Sequence, residues 1–309
     1  MALSPTHPTT LETRPTMFLP RTPLWTAGLL LACSSAAFGQ EMATYAVDAY
    51  AKVSSDQRTR GISDSLNRPG IKLSVQAVHE SGLIGLLEVN TVSKKQFLGG
   101  DGLDVTVASG YRFGDPEAWH YGLGLAAELF PGAKFQAPHG IDLATGTPTN
   151  VRSTNYNSGF AVVEIGYGDL EGRILNVLSK TYRGADTGGV CGQMLQVTLT
   201  TDPTRALECY ARGDHDSRGS WLFDLDYKYH LDPVTTLNLH AGYQQIAHFK
   251  EANFTDWRVG LIRQQWGVEW EAAWVKTHVQ DRDLYLVLDG DHWRATDQGK
   301  VLASATYRF

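Results

Sequence analysis

From residue 45 onward, apolar and polar positions alternate with a period of two in segments of about ten to thirteen residues, the length of a tilted membrane strand. The clearest segment is 221–231. There Trp221, Phe223, Leu225, Tyr227, Tyr229 and Leu231 share one face, against Asp224, Asp226, Lys228 and His230 on the other. At 235–244, Leu237, Leu239, Ala241 and Tyr243 oppose Asn238, His240 and Gln244. At 266–275, Trp266, Val268, Trp270 and Trp274 oppose Glu269 and Glu271. The last segment sets Val301, Ala303, Ala305, Tyr307 and Phe309 against Lys300, Ser304, Thr306 and Arg308. A helix, with its period of 3.6, would scatter these residues around its circumference. About twelve such segments predict an all-β chain, a transmembrane antiparallel up-and-down β-barrel of even strand number.

The links between segments alternate in length. Short ones fall near Glu80-Ser81-Gly82, Gly114-Asp115-Pro116, Gly168-Asp169, Asp232-Pro233 and Gln264-Gln265, and consist of tight-turn residues. Long ones fall near 57–69, 92–102, 130–156, 181–217, 246–253 and 277–297. With both ends of the barrel domain in the periplasm, every short link becomes a periplasmic turn and every long link an external loop. A soluble β-sandwich has no reason to keep that order.

Composition agrees with strands. Charged residues make up 19% of the 309 residues, below the roughly 25% of soluble chains, and Gly, Tyr and Trp are frequent. The net charge of −6 gives no reason to expect nucleic acid. Near the N-terminus, Arg14 and Arg21 precede the apolar run 24–32 and the small residues that end at Ala37-Phe38-Gly39-Gln40. This predicts a signal peptide over 1–39, with Met17 as an alternative start, and a barrel domain over 40–309. Leu30-Leu31-Ala32-Cys33 offers a lipobox as the rival reading. After cleavage at Gly39, Cys191 and Cys209 remain, and an exported chain is expected to join them in a disulfide.

One stretch resembles a known family. Ser55-Asp56-Gln57-Arg58-Thr59-Arg60-Gly61-Ile62-Ser63 is similar to the SDYRFRGIS signature of the proteobacterial Gcw_chp family, also called the TorF-family porins. The likeness runs on through Pro69, His79-Glu80-Ser81-Gly82, Asp104 to Gly110-Tyr111, and the closing Tyr307-Arg308-Phe309. It implies an outer-membrane barrel of the bacterial cell. Gln57 and Thr59 stand where that family has aromatics. By parity they extend the outward face of Tyr45, Val47, Ala49, Ala51 and Val53, so the upper aromatic girdle is expected to be missing on this strand.

The same parity predicts an inward, pore-lining set: Asp48, Lys52, Asp56, Arg58, Arg60, Lys72, Glu88, Asp104, Arg112, Glu128, Asp224, Asp226, Lys228, Arg258, Glu269 and Glu271, joined by Lys300 and Arg308. Such charges need water or partners, and a wet lumen supplies both. The expected function is passage of small polar solutes, with Arg58 and Arg60 near the outer mouth and no strong preference for either sign of charge. A salt-bridged plug that conducts nothing is the alternative, as is a surface-interaction barrel read through 130–156 and 181–217. An outer-membrane hydrolase is a third reading. No G-x-S-x-G or H-E-x-x-H motif appears, and His215, in Gly213-Asp214-His215-Asp216-Ser217, stands in a loop rich in Asp and Arg. The chain is therefore expected not to be an enzyme, with no catalytic residue, metal or cofactor. Asp214 and Asp216 form only an incomplete calcium pattern. Expected partners are outer-membrane lipid, a small solute, and the barrel-assembly machinery, which would read Tyr307 and Phe309.

Overall fold

A computed structural model describes residues 44–309. The signal-peptide reading of 1–39, the Met17 start and the Cys33 lipobox lie outside the described residues. Twelve strands form the wall, each hydrogen-bonded to its sequence neighbours, and the last pairs with the first to close an antiparallel barrel. They are β1 (Tyr45–Ser54), β2 (Gly70–His79), β3 (Leu83–Thr91), β4 (Leu103–Gly114), β5 (Trp119–Leu129) and β6 (Ser158–Tyr167). The circuit continues with β7 (Leu170–Val177), β8 (Trp221–Asp232), β9 (Thr235–Gln245), β10 (Phe254–Gln265), β11 (Val268–Val279) and β12 (Lys300–Arg308). Closure leaves no unpaired edge, so the backbone groups of the wall are satisfied within the chain.

All five short links lie at one end and six long loops at the other: L1 (55–69), L2 (92–102), L3 (130–157), L4 (178–220), L5 (246–253) and L6 (280–299). The link between β10 and β11 is Trp266-Gly267 rather than Gln264-Gln265. Both residues have positive φ (57° and 73°), the backbone of a two-residue hairpin turn that matches strand twist. Trp266 thus leaves the strand the alternation assigned it to.

Outward positions carry exposed apolar side chains all round the wall, among them Leu73, Leu87, Leu123, Val163, Leu225, Leu261 and Val301. Tyr45, Phe113, Trp119, Tyr167, Tyr229 and Tyr307 form an aromatic ring at the turn end. At the loop end, aromatics cluster on β8 to β10 as Trp221, Phe223, Tyr243 and Trp257. Such girdles bracket the apolar band of membrane barrels. Tyr307 faces outward beside Phe309, whose N–H donates to the Ala49 carbonyl at 2.9 Å across the seam.

The buried core lies above the wall rather than within it. L4 holds two helices, α1 (Thr187–Thr198) and α2 (Thr204–Ala211), joined by the Cys191–Cys209 disulfide. Neither was expected in this loop. Val190, Cys191, Met194, Cys209 and Tyr210 pack down on Phe160, Val177 and Leu222, inward residues at the loop end of β6, β7 and β8, and on Ile246 and Phe249 of L5. Asp186 caps α1 by accepting from the Gly189 N–H at 2.8 Å, and its other oxygen takes Thr154 (2.6 Å) and lies 2.9 Å from His139, both in the L3 hairpin. The L3 hairpin (Lys134–Asp142 with Thr147–Asn155) and the helices therefore make one lid.

Candidate functional site

The interior is organised around L1. Parity carried β1 through Arg60, but the strand ends at Ser54, and the chain folds into the barrel mouth as a small hairpin, Arg58–Thr59 against Ile62–Ser63. Asp56 turns the chain: its buried carboxylate accepts from Ser63 (2.6 Å), Ser65 (2.9 Å) and Arg58 (2.8 Å). Arg58 also donates to the Gly61 and Gln298 carbonyls, at 2.7 and 2.9 Å. Asp56, Arg58 and Arg60 are thus loop residues inside the mouth, not wall residues. Gln57 and Thr59 are not outward girdle positions either. Gln57 is buried against Asn90 (3.3 Å), and Thr59 donates to Asp64 at 2.5 Å.

The hairpin tip reaches a wall far from its own strand. Arg60 donates to Asp224 on β8 at 2.8 Å and to the Phe223 and Tyr243 carbonyls at 2.8 and 3.1 Å. Beside it Gly61, with φ of +77°, lies so close to β10 and β11 that an added Cβ would stand 2.3 Å from Thr277 Oγ1 and 2.8 Å from Asp256 Cβ. Only glycine tolerates both that backbone and that approach.

The hairpin separates two spaces. On its lumen side is a chamber of about 360 Å³ lined by Lys52, Lys72, Arg58, Arg60, His240, Asp256, Arg258 and Glu271. On its outer side, with Ile62 in the wall, lies a cleft of about 570 Å³ among L2, L3, L4 and L6.

The other inward charges pair along the wall. Lys52 and Arg258 both bond Glu271, the former at 3.1 Å, and Lys72 bonds Glu88 at 2.8 Å. Arg112 meets Glu164 at 2.9 Å, and Arg173 lies among Glu164, Glu171 and Asp226 at 3.4–3.9 Å. His240 bridges Asp226 and Asp256 at 2.9 and 3.0 Å. Near the turn end Arg308 bonds Asp48 at 2.6 Å and approaches Glu269 at 3.8 Å, and Lys228 shares this inner face, whereas Lys300 opens β12 at the loop end. Asp104 accepts from Asn90 at 3.1 Å.

Arg183 of L4 is the residue that alternation could not find. Its guanidinium bonds Asp64 of L1 (2.9 and 3.1 Å) and Glu128 of β5 (from 2.5 Å), and lies over the rings of Phe97 and Phe130 at 5.8 and 5.4 Å. One side chain thus ties lid, inserted loop and wall together. His215 stacks on His248 at 4.6 Å and its Nε2 lies 2.9 Å from the Arg212 carbonyl. The Asp214 carboxylate is taken by Arg152 at 2.6 and 2.9 Å, which removes it from the calcium pattern with Asp216. Partial burial would raise this carboxyl, but the Arg152 hydrogen bonds and charge outweigh that and hold it below the usual range.

The sequence profile of Gcw_chp, a bacterial protein family of unknown function, matches residues 39–306. The chain belongs to the Gcw_chp family. In this Gcw_chp barrel the signature stretch 55–63 is the segment that folds into the mouth. Similar solved structures include the KdgM porin (8% identity, 85% of this chain and 98% of that chain, TM-score 0.43) and the NanC porin (11%, 84% and 98%, 0.45). The COG4313 outer membrane channel from Pseudomonas putida F1 is another (12%, 88% and 100%, 0.38). No curated protein matches the Gcw_chp chain in sequence.

Proposed function

We propose that the protein is an outer-membrane porin-like channel, passing small polar solutes through a charged lumen that L1 narrows. One observation carries this reading: the interior beneath L1 is a charged chamber rather than a packed apolar core. Charges retained inside a barrel cost free energy unless paired or hydrated, and a hydrated passage makes use of them. The outward apolar face meets lipid in this reading, the long loops face outside the cell, and Tyr307 with Phe309 serves as the assembly signal. Closed barrels span membranes because every backbone group finds a partner within the sheet.

A surface barrel that conducts nothing is the competing reading, and the lid formed by α1, α2 and the L3 hairpin over the mouth favours it. Liposome swelling separates the two. Vesicles holding the purified, folded barrel should swell in isotonic glycine or arabinose faster than empty vesicles. Swelling no faster than in empty vesicles would contradict the channel.

A further inference from the structure

The charges that line the chamber beneath L1 are not equally available to what enters it. Its two L1 arginines are spent on the fold. Arg58 donates to Asp56, to Asn67 Oδ1 at 3.2 Å and to two carbonyls, and Arg60 is latched to Asp224 and two carbonyls. Little of either side chain is exposed. His240 has a carboxylate at each ring nitrogen.

The three wall cations differ. The side chains of Lys52, Lys72 and Arg258 are 26%, 23% and 30% exposed. Among the described residues Lys52 and Arg258 each bond Glu271, and Lys72 bonds Glu88, with no second partner for any of the three. An ammonium carries three donors and a guanidinium five, so most of this donor capacity is unspent. The carboxylates, by contrast, are withdrawn from the chamber. Glu271 and Asp256 are 7% and 2% exposed, and Asp56 is fully covered. Glu271 also accepts from the Ser304 hydroxyl at 3.1 Å, so one covered carboxylate answers two exposed cations.

Strand register adds an independent sign. Lys52 and Lys72 stand directly opposite each other on β1 and β2. Like charges in that position destabilise a sheet. Each ammonium is drawn to a different side, Lys52 to β11 and Lys72 to β3, and no carboxylate bridges the pair. An anion in the chamber would supply that bridge. Parity along the sequence predicts no preference for either sign of charge, yet the exposed charge at this level is cationic.

We propose that Lys52, Lys72 and Arg258 together bind the oxyanion group of a small organic anion, such as a carboxylate, and that such anions are the solute class of the passage. The guanidinium offers paired N–H groups to the two oxygens, and the ammoniums add charge-assisted bonds. A cationic solute meets like charge here and finds the carboxylates covered. The solute class rests on the channel reading, whereas the binding site does not.

Calorimetric titration of the full, disulfide-intact barrel in a non-ionic detergent at low salt, with succinate and in parallel with succinamide, tests the site. Succinate should bind saturably, and succinamide, with the same skeleton but no charge, at least about tenfold more weakly. Lys52→Gln and Lys72→Gln should each weaken succinate by about tenfold. Lys180→Gln, which removes an exposed cation of L4 outside the chamber, should change nothing. Lys52→Gln leaves Glu271 with Arg258 and Ser304, so it keeps the test decisive if the loss of Lys72 disturbs Glu88. In planar bilayers under a KCl gradient, the zero-current potential should have the sign of a chloride-preferring pore and move toward zero in both lysine variants. Saturable succinate binding by a barrel with no openings would uphold the site and remove the channel. Equal affinity for the two probes, no saturable succinate binding, succinate binding unchanged in Lys52→Gln, or a potassium-preferring potential would each overturn the proposal.

Discussion

L1 and L4 both lean over the same mouth, yet they are held there by opposite means. L1 is fixed by polar groups: Asp56 gathers Ser63, Ser65 and Arg58, and Arg60 is latched to Asp224. L4 is fixed by an apolar cluster and a disulfide. A buried ion pair is strongly directional and costs much to break from one side, whereas an apolar cluster tolerates substitution and is indifferent to salt. The difference suits a mouth in which the inserted tip must hold one geometry while the lid supplies the packing. The two systems meet at Arg183.

Removing that meeting point should have the largest effect. Arg183→Ala leaves Asp64 and Glu128 buried without their partner, a loss of about 3–5 kcal/mol. Limited proteolysis of both L1 and L4 should then accelerate by roughly 200- to 5,000-fold, provided reclosing outpaces cleavage. Acceleration of L4 alone would mean that the loops are not coupled. The Cys191→Ser, Cys209→Ser double variant should cost about 3 kcal/mol. Its faster cleavage should be confined to L4, because the hydrogen bonds that join L1 to L4 among the described residues all come from Arg183, outside the disulfide loop. Smallest is the surface tie between lid parts, Arg152 to Asp214, worth about 0–1 kcal/mol at its exposure. Asp214 has a depressed folded-state value, so the contribution is full above its unfolded pKa of roughly 3.9 and is lost as pH falls through the folded one. Protection factors in Thr147–Asn155, which divide out the intrinsic slowing of exchange in acid, should fall only slightly at pH 3, and Asp214→Asn, which lacks the titrating group, should not show that fall.

The wall was legible because a barrel strand repeats one rule along its length. Alternation from Trp221 to Leu231 needs no knowledge of distant residues, and loop lengths then set the order of the ends. L1 defeated the same rule. Asp56, Arg58 and Arg60 keep the period of β1 after the strand has ended, so parity alone reads them as wall. What folds them inward is Asp224, 164 positions away from Arg60, and nothing local records that pairing. Arg183 stayed hidden for the same reason, since its partners lie 119 and 55 positions away. Helix α1 was missed because Thr187–Thr198 is apolar around much of its circumference and shows no helical stripe, and α2 because its eight residues are too short for a stripe to stand out.

The central claim, that the barrel conducts and that the L1 tip narrows its path, is tested most directly by single-channel recording of the wild type beside Arg60→Ala and Gly61→Val. The first unlatches the tip from Asp224, and the second forces it away from Asp256 and Thr277. Wild type should show discrete openings, and both variants a larger unit conductance at the same salt. No openings from any of the three, or identical conductance in all, would contradict the account.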